Sequence, residues 1–254
     1  MFLKNKESQM VEQVTLRGVV LSAMPISEYD KRLVILTKER GKITAFARGA
    51  RKATSQFLAA SQPMTFGEYT VYQGRNAYTI TSVKVTKYFA QNITDIEQMS
   101  YGMYFLEVSD YFGREGMEAS DSINLIYLAI KALLNPDIPD RLARAIYELK
   151  TMVIHGEYPN FFTCSHCGTK EQIYYFDKNK YRVLCRNCGG QVSANNIHIS
   201  ESAIYSLQFV VATPISKLFT FTVKEEVLDE ICEVVTHCFT KLVDREFKSL
   251  EFLV

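Results

Sequence analysis

Four cysteines in two closely spaced pairs are the residues of this 254-residue chain whose spacing most clearly indicates chemistry. Cys164 and Cys167 form one C-x2-C pair, Cys185 and Cys188 form a second, and seventeen residues separate the two pairs. Each pair can close a tight turn that points two thiolates at one ion, and two pairs complete a tetrahedral set of sulfur ligands. The spacing therefore predicts one bound Zn²⁺; the alternative is a chance grouping of four cysteines in a core.

The predicted metal site is structural rather than catalytic. Four thiolates leave no open coordination position, so the ion could not activate a bound water. His166 lies inside the first pair and competes as a ligand, but Cys167 has the better spacing, and His198 is expected at the surface. No H-x-E motif precedes the second pair, which argues against a zinc-dependent nucleobase deaminase.

A second candidate site lies on a strand-like segment whose side chains alternate. Its two faces are Ile43, Ala45 and Ala47 on one side, and Lys42, Thr44, Phe46 and Arg48 on the other. An aromatic ring among cations suits single-stranded nucleic acid, because bases stack on the ring while the cations hold phosphates. For Phe46 the alternative is burial beneath a neighbouring helical domain.

Further cations surround this strand in the sequence. A flexible basic loop, Gly49-Ala-Arg-Lys52, follows it directly. Lys31 and Arg32 open the preceding strand-like segment, and Lys84 and Lys87 lie on a later one, over Ala77–Tyr88. The candidate nucleic-acid-binding residues are Lys31, Arg32, Lys42, Phe46, Arg48, Arg51, Lys52, Lys84 and Lys87.

Charge is distributed unevenly along the chain, although its net value is only +1. Residues 10–89 contain twelve Lys/Arg and five Asp/Glu, a net charge of +7. Residues 90–254 contain fifteen Lys/Arg and twenty-two Asp/Glu, a net charge of −7, so the two regions cancel. A basic unit of this size attracts polyanions, because each neutralised phosphate releases a condensed counterion. The alternative is a solvated basic surface that meets an acidic neighbouring domain.

Composition and motifs exclude several classes of protein. The contents of 47% hydrophobic and 22% charged residues are typical of a globular chain rather than a disordered one. No apolar run approaches the ~18 residues of a membrane span, and the start lacks the apolar core of a signal peptide, so we expect reduced cysteines in the cytoplasm. Motifs of hydrolases, nucleotide-binding enzymes and metalloproteases are absent, and we expect neither catalytic residues nor enzyme activity.

Five segments rich in β-branched and aromatic residues are predicted strands, and turn-like clusters separate them. They are Val14–Leu21, Arg32–Lys38, Lys42–Arg48, Thr65–Gln73 and Ala77–Tyr88. Because no βαβ rhythm is present, they predict a small antiparallel barrel. The OB-fold is the favoured architecture, and an SH3-like barrel is the alternative.

From Thr94 the hydrophobic period changes to about 3.6, which predicts a bundle of helices. We expect helices from Thr94 to Phe112, Ser120 to Leu134, Pro139 to about His155, Ser200 to about Val211, and Val223 to about Arg245 with Thr222 as N-cap. Between the third and fourth helices, Ile173–Asp177 and Tyr181–Leu184 alternate like a hairpin.

The predicted fold class is thus α+β: an N-terminal five-stranded OB-fold barrel, then an α-helical domain with an embedded zinc module of four cysteines. The predicted domains are a flexible extension over 1–9, an OB-fold barrel over 10–90 that is expected to bind nucleic acid, a helical domain over 91–160 and 195–254, and the zinc module over 161–194.

Several motifs resemble those of the bacterial recombination mediator family RecO. They are Gly18-Val-Val-Leu, Glu28-Tyr-Asp-Lys-Arg, Leu36-Thr-Lys-Glu-Arg-Gly-Lys, Ala47-Arg-Gly-Ala-Arg-Lys52, Gln62-Pro63, the Tyr72–Gly74 turn, the cysteine quartet and Phe247-Lys-Ser-Leu-Glu-Phe-Leu253. The resemblance covers residues 10–254 and implies an OB-fold, a helical domain and a zinc module. The basic positions that match the family are Lys31, Arg32, Lys42, Arg48, Arg51 and Lys52.

The resemblance also implies a function. Members of this family bind single- and double-stranded DNA, anneal complementary strands, work with the partner RecR, contact the acidic tail of single-stranded-DNA-binding protein, and help to replace that protein with the recombinase RecA. We therefore expect a non-enzymatic mediator of homologous recombination, cytoplasmic and associated with the nucleoid.

Two alternatives stay open. One is a protein-interaction adaptor whose basic barrel binds an acidic partner, and the other is an RNA-binding factor. Residues 1–9 depart from the family pattern and are expected to be dispensable, which leaves open whether the chain starts at Met1 or Met10.

Overall fold

The computed structural model describes residues 13–74, 77–190 and 196–252, which form two compact units. The first unit contains the residues up to Asn92 together with Leu106–Ile123, and the second contains Ile93–Phe105 and the residues from Asn124 onward. Leu106–Ile123, which falls within the predicted helical domain over 91–160, belongs to the first of these units. The predicted extension over residues 1–9 lies outside the described residues.

The first unit is built on five strands that close into a barrel in the order β1-β2-β3-β5-β4. All neighbouring strands are antiparallel except β3 and β5, where Ala45 pairs with Tyr78 and Phe46 with Thr79 in parallel. A one-turn helix between β3 and β4 was not predicted, because four residues are too few to show a helical period. The elements are β1 Gln13–Pro25, β2 Lys31–Thr37, β3 Gly41–Ala47, α1 Phe57–Ala60, β4 Thr65–Gln73 and β5 Tyr78–Tyr88.

Every second residue of β3 points into the barrel. Ile43, Ala45 and Ala47 are buried, whereas Lys42, Thr44 and Phe46 are half-buried on the outer face. The predicted alternation of this strand is confirmed. Because the side-chain period of a strand is two, the register of the barrel fixes which residues reach its outer face.

The first strand closes the barrel because it pairs with β2 and β4 at once, and Gly18 lies where the two pairings overlap. Gly18 is opposite Thr37 of β2 and opposite Gly67 of β4. A Cβ at position 18 would lie 2.3 Å from the backbone oxygen of Leu36, and one at position 67 would lie 2.8 Å from the backbone oxygen of Lys84. Glycine is therefore required where these backbones approach most closely.

The second unit contains five long helices or parts of them, and α4, α6 and α7 pack against one another. The last helix begins after Lys224 rather than at the predicted cap Thr222, and it ends at Leu242 because Val243 is extended. None of the helices in the described ranges is both long and apolar enough to cross a membrane. The helices are α2 Ile96–Phe112, α3 Ser120–Leu133, α4 Asp140–Ile154, α6 Glu201–Ala212 and α7 Glu225–Leu242.

Charged side chains of α4 are buried in this unit and each has polar partners. Glu148 is 1% exposed and accepts hydrogen bonds from the Tyr104 hydroxyl at 2.6 Å and from Arg144 Nε at 2.7 Å. Lys150 Nζ donates to backbone oxygens near the end of α6, including that of Thr213 at 2.7 Å. A cation at a helix C-terminus is favourable, so Lys150 joins α4 to α6 without an unpaired buried charge.

We predict that Gly18→Ala destabilises the chain, because the added methyl group has no space and a backbone must shift. The free energy of unfolding, measured by urea denaturation, should fall by on the order of 1–3 kcal/mol. Ser22→Ala in the same strand, where the side chain is exposed, should change it by less than about 0.5 kcal/mol. Equal stability of the two variants would contradict the role of Gly18 in closing the barrel.

A pH-dependent effect is predicted at Asp140, the first residue of α4. Burial, together with the carboxylates of Glu97 and Asp95, raises the pKa of Asp140 to about 6. The folded state therefore holds this proton more tightly than the unfolded chain, so the contribution to stability falls as the pH rises through 4 to 6. Asp140→Asn should raise the melting temperature at pH 7.5 by about 2–4 °C, because it removes the repulsion from the neighbouring carboxylates. The rise is modest because the site is half-exposed and the repulsion is screened. The favourable interaction of Asp140 with the helix dipole is also lost, but it is smaller than the repulsion.

The gain from Asp140→Asn should disappear as the pH is lowered below 4, where the native carboxyl is protonated as well. Asp137→Asn is the matched control, because Asp137 is exposed three residues earlier. A gain that is independent of pH, or equal in both variants, would rule out repulsion at Asp140.

Candidate metal centre and basic surface of the barrel

The four predicted cysteine ligands lie together. Their sulfur atoms are all within 4.8 Å of one another, and the sulfurs of Cys167 and Cys185 are 3.7 Å apart. A tetrahedral ion with Zn–S bonds of about 2.3 Å places its sulfur ligands about 3.8 Å apart. All four are free thiols rather than disulfides, so the cluster fits one tetrahedral metal ion.

Two tight turns on a small sheet hold these ligands. In the first, Cys164 N donates to the Thr169 oxygen at 2.7 Å and Gly168, with a φ of 77°, donates to the Cys164 oxygen at 2.8 Å. In the second, Cys185 ends a strand and Cys188 follows on a one-turn helix. The sheet has the order β7-β6-β8, and the elements are β6 Ile173–Asp177, β7 Arg182–Cys185, α5 Arg186–Gly189 and β8 Asn196–His198.

Backbone N–H groups prepare one ligand for the metal. Burial raises the pKa of the Cys164 thiol, but hydrogen bonds from the N–H groups of Cys167, Cys185 and His166 outweigh it and lower that pKa to about 6. A thiol that loses its proton near neutral pH binds metal readily, because the thiolate is the ligand. The side chains of His166 and His198 are exposed and are not part of the four-ligand cluster.

A row of side chains crosses the outer face of the barrel from strand to strand. Met24 of β1 is opposite Arg32, Arg32 is opposite Phe46, and Phe46 is opposite Thr79. Thr79 is in turn opposite Tyr72 of β4. Met24 is 54% and Tyr72 40% exposed, and Phe46 is half-buried. The outer row thus combines a guanidinium with apolar and aromatic surface.

The basic loop after β3 meets the loop between β1 and β2 at one end of the barrel. Arg51 donates to the Ser27 oxygen at 2.7 Å, and Lys52 Nζ lies 5.1 Å from the centre of the Tyr29 ring. Burial and the positive charge of Arg51 lower the pKa of Lys31, so these two cations lie near each other. Lys31, Arg51 and Lys52, with Tyr29, therefore form a loop cluster. Arg48 is exposed directly after β3, and Arg32 belongs to the outer row.

Three of the predicted cations have other partners or lie elsewhere. Lys42 Nζ donates to the Asp110 backbone oxygen at 2.6 Å and lies 3.3 Å from the Asp110 carboxylate. Lys84 is 3.7 Å from the Glu68 carboxylate, and Lys87 lies against the Phe89 ring. Lys84 and Lys87 are further along β5 than Thr79, beside β4, so the structure does not bring them into the outer row.

Met24, Tyr29 and Tyr72 are not among the predicted binding residues, although Tyr29 and Tyr72 lie inside two of the motifs that resemble the family. Each joins the outer row or the loop cluster through strand pairing or loop contact, which a motif along the chain does not show. The signal that could have found them is the alternation of each strand once the barrel order is known.

Comparison with known families accounts for nearly the whole chain. The family model described as Recombination protein O N terminal matches residues 10–89, and the one described as Recombination protein O C terminal matches residues 93–251. The chain belongs to the RecO family. The resemblance seen in the sequence motifs is therefore confirmed.

Individual relatives agree with this assignment. The DNA repair protein RecO of Acetivibrio thermocellus is 27% identical over 237 residues, which are 93% of this chain and 94% of the relative. The DNA repair protein RecO of Clostridium perfringens strain 13 is 28% identical over 238 residues, with coverage of 93% and 95%. The similarity thus extends over both the barrel and the helical unit.

We predict that the purified protein contains one metal ion per chain and that Cys185→Ser removes it. The melting temperature should then fall by several degrees, because the small sheet that carries the ligands depends on the ion for its stability. Metal analysis and thermal denaturation measure the two effects. Cys232→Ser, outside the cluster, should retain the metal; a parent protein with no metal and four freely reactive thiols would contradict the assignment.

Proposed function

We propose that this protein is a DNA-repair and recombination mediator that binds single- and double-stranded DNA, anneals complementary strands, and helps to load the recombinase onto DNA coated with single-stranded-DNA-binding protein. The observation that carries the proposal is the outer row of the barrel, where Arg32 and Phe46 lie side by side in a chain of the RecO family. Bases stack on aromatic rings while cations neutralise phosphates, so this surface suits a single strand.

The barrel topology supports the assignment of an OB-fold. Five strands close through one parallel pair between β3 and β5, and OB-folds bind oligonucleotides on strands 2–3 and the loop between strands 1 and 2. Arg32 lies on β2, Phe46 on β3 and Tyr29 in the β1–β2 loop. Arg32, Phe46 and Tyr29 therefore lie on the elements that an OB-fold uses for binding.

Annealing by such a surface needs no bond chemistry, and we propose no enzymatic step. Two strands repel each other through their phosphates, and cations that replace condensed counterions reduce this repulsion. Exposed bases can then pair. The metal in this proposal is one structural Zn²⁺ held by the four cysteines, which leaves no coordination position for catalysis.

The proposed partners and location follow from the family. They are RecR, the acidic tail of single-stranded-DNA-binding protein and, indirectly, RecA, in the cytoplasm and on the nucleoid. The proposed domains remain an OB-fold over residues 10–90, helical regions over 91–160 and 195–254, and a zinc module over 161–194.

An adaptor function is the second candidate, and one observation favours it. Met24, Ile26 and Tyr29 are exposed near the cations of the loop cluster, and apolar groups beside cations suit an acidic protein segment. Salt dependence separates the two, because contacts with several phosphates give a steep slope of log K against log salt concentration.

We predict that the triple variant Arg48→Ala, Arg51→Ala, Lys52→Ala binds DNA of any sequence more weakly and anneals it more slowly. The salt slope should decrease by about one unit for each phosphate contact that is lost. A control variant, Lys131→Ala, Lys217→Ala, Lys224→Ala, removes three exposed cations of the second unit and should leave the slope nearly unchanged. Parental binding and annealing by the folded triple variant would contradict the basic-surface assignment.

Phe46→Ala should behave differently from the cation variants. Loss of stacking should weaken single-strand binding by about 1–3 kcal/mol with little change in salt slope, whereas Phe46→Tyr should retain most of the affinity. Fluorescence anisotropy with a short single-stranded oligonucleotide measures both quantities. An equal loss on single and double strands would argue against stacking.

A further inference from the structure

We propose that a cleft between the β6–β7 hairpin, the segment after α4 and helix α7 binds an unstacked base of single-stranded DNA. This hairpin cleft has a volume of about 330 Å³, and its lining includes Tyr158, Tyr181, Glu157 and Lys241. The inference rests on the proposed DNA-binding function and adds a second contact to it, within the helical unit.

Charge around the hairpin differs from that of the rest of its unit. Residues 161–199 contain five Lys/Arg and two Asp/Glu, whereas the other residues of 90–254 contain ten Lys/Arg and twenty Asp/Glu. The hairpin is thus a basic segment in an acidic region. Lys180 at the hairpin turn and Lys241 at the cleft are both exposed, and a phosphate chain would be attracted to them.

The backbone at Tyr181 is held in a conformation that tyrosine disfavours. Its φ is 50°, in the left-handed region that hairpin turns usually fill with glycine or asparagine. The carboxylate of Asp177 fixes the turn because it accepts hydrogen bonds from the N–H groups of Asn179 and Lys180. The Tyr181 ring also stacks on the His237 ring, with 5.3 Å between the ring centroids. Such strain persists where the surrounding structure enforces it, and here it directs an aromatic ring into the cleft.

The chemistry of the lining matches a base better than an acidic peptide. Tyr158 is 40% exposed and, with Tyr181, offers aromatic surface for stacking. The Glu157 carboxylate can accept a hydrogen bond from the exocyclic amino group of a base, but it would repel a carboxylate ligand. Annealing requires that two strands be held, and the hairpin cleft would hold a strand independently of the barrel.

The test is photo-crosslinking of the full-length protein to single-stranded oligonucleotides that carry 5-iodouracil, followed by mass spectrometry of the crosslinked peptides. We expect crosslinks at Tyr158 or Tyr181 in the parent and in the barrel variant Arg48→Ala, Arg51→Ala, Lys52→Ala. In that barrel background, Tyr181→Gly should reduce single-strand affinity about tenfold, since glycine accepts the turn but lacks the ring. Tyr205→Leu removes an exposed tyrosine outside the cleft and should change neither result.

Three other outcomes of the crosslinking experiment would decide against the cleft. If the parent binds and anneals DNA but crosslinks only in the barrel, the cleft assignment is wrong and the proposed function stands. If an acidic peptide, rather than the oligonucleotide, crosslinks to the cleft residues, the cleft is a peptide site instead. A parent protein that binds no DNA would overturn the proposed function and the cleft together.

A second variant covers the case in which Tyr181→Gly unfolds the hairpin. Lys241→Ala is then compared with the control Lys224→Ala for single-strand affinity in the same barrel background, and equal affinities of the two variants would refute the cleft.

Discussion

Closure of the barrel at Gly18 is the constraint on which the proposed binding surface depends. Here β1 pairs with β2 and β4 together, and only glycine allows the backbones to approach this closely. Once the barrel is closed, the register of every strand is fixed. A shift of one residue would turn Arg32 and Phe46 inward and bring buried residues such as Leu33 to the surface. The steric demand of one backbone contact thus determines the composition of the outer row.

The four-cysteine cluster has a comparable role in the second unit, on a smaller scale. The sheet of β6, β7 and β8 has few residues with which to build a core, and small folds of this kind depend on a metal or on disulfides. Its cysteines pack with Leu184 and Tyr175, and a Cβ at Gly189 would lie 2.3 Å from the Tyr175 ring. The two cysteine turns, the Tyr175 ring and Gly189 therefore restrict one another's positions. Together they hold the β6–β7 hairpin that carries Tyr181.

The sequence predicts those features that are local and fails for those that depend on distant pairing. The C-x2-C pairs and the alternation of β3 could be identified because each lies within a few residues. Ser200 was correctly placed at the start of α6, where its hydroxyl accepts from Ala203 N. The start of α7 is an exception among the local features. Thr222 has the side chain of a helix cap, yet α7 begins after Lys224, with Glu225 and Glu226 in the first turn, where acids are favourable.

The role of individual cations could not be predicted because it depends on partners that are distant in the sequence. Lys42 has the spacing of a surface cation in the sequence, but its partner Asp110 is 68 residues away, beyond any short motif.

The positive charge that the barrel can offer to a polyanion lies on the cations whose partners are not carboxylates. Arg17 and Lys84 are paired with Glu39 and Glu68, so these two of the twelve cations over residues 10–89 add nothing to the net charge of +7. Arg51 is held by a backbone oxygen and Lys52 by an aromatic ring, and neither contact neutralises the cation. Because a phosphate contact contributes through counterion release, such a cation contributes more than one already paired with a carboxylate. The binding strength of the barrel should therefore follow the loop cluster and the outer row rather than the total count of lysines and arginines.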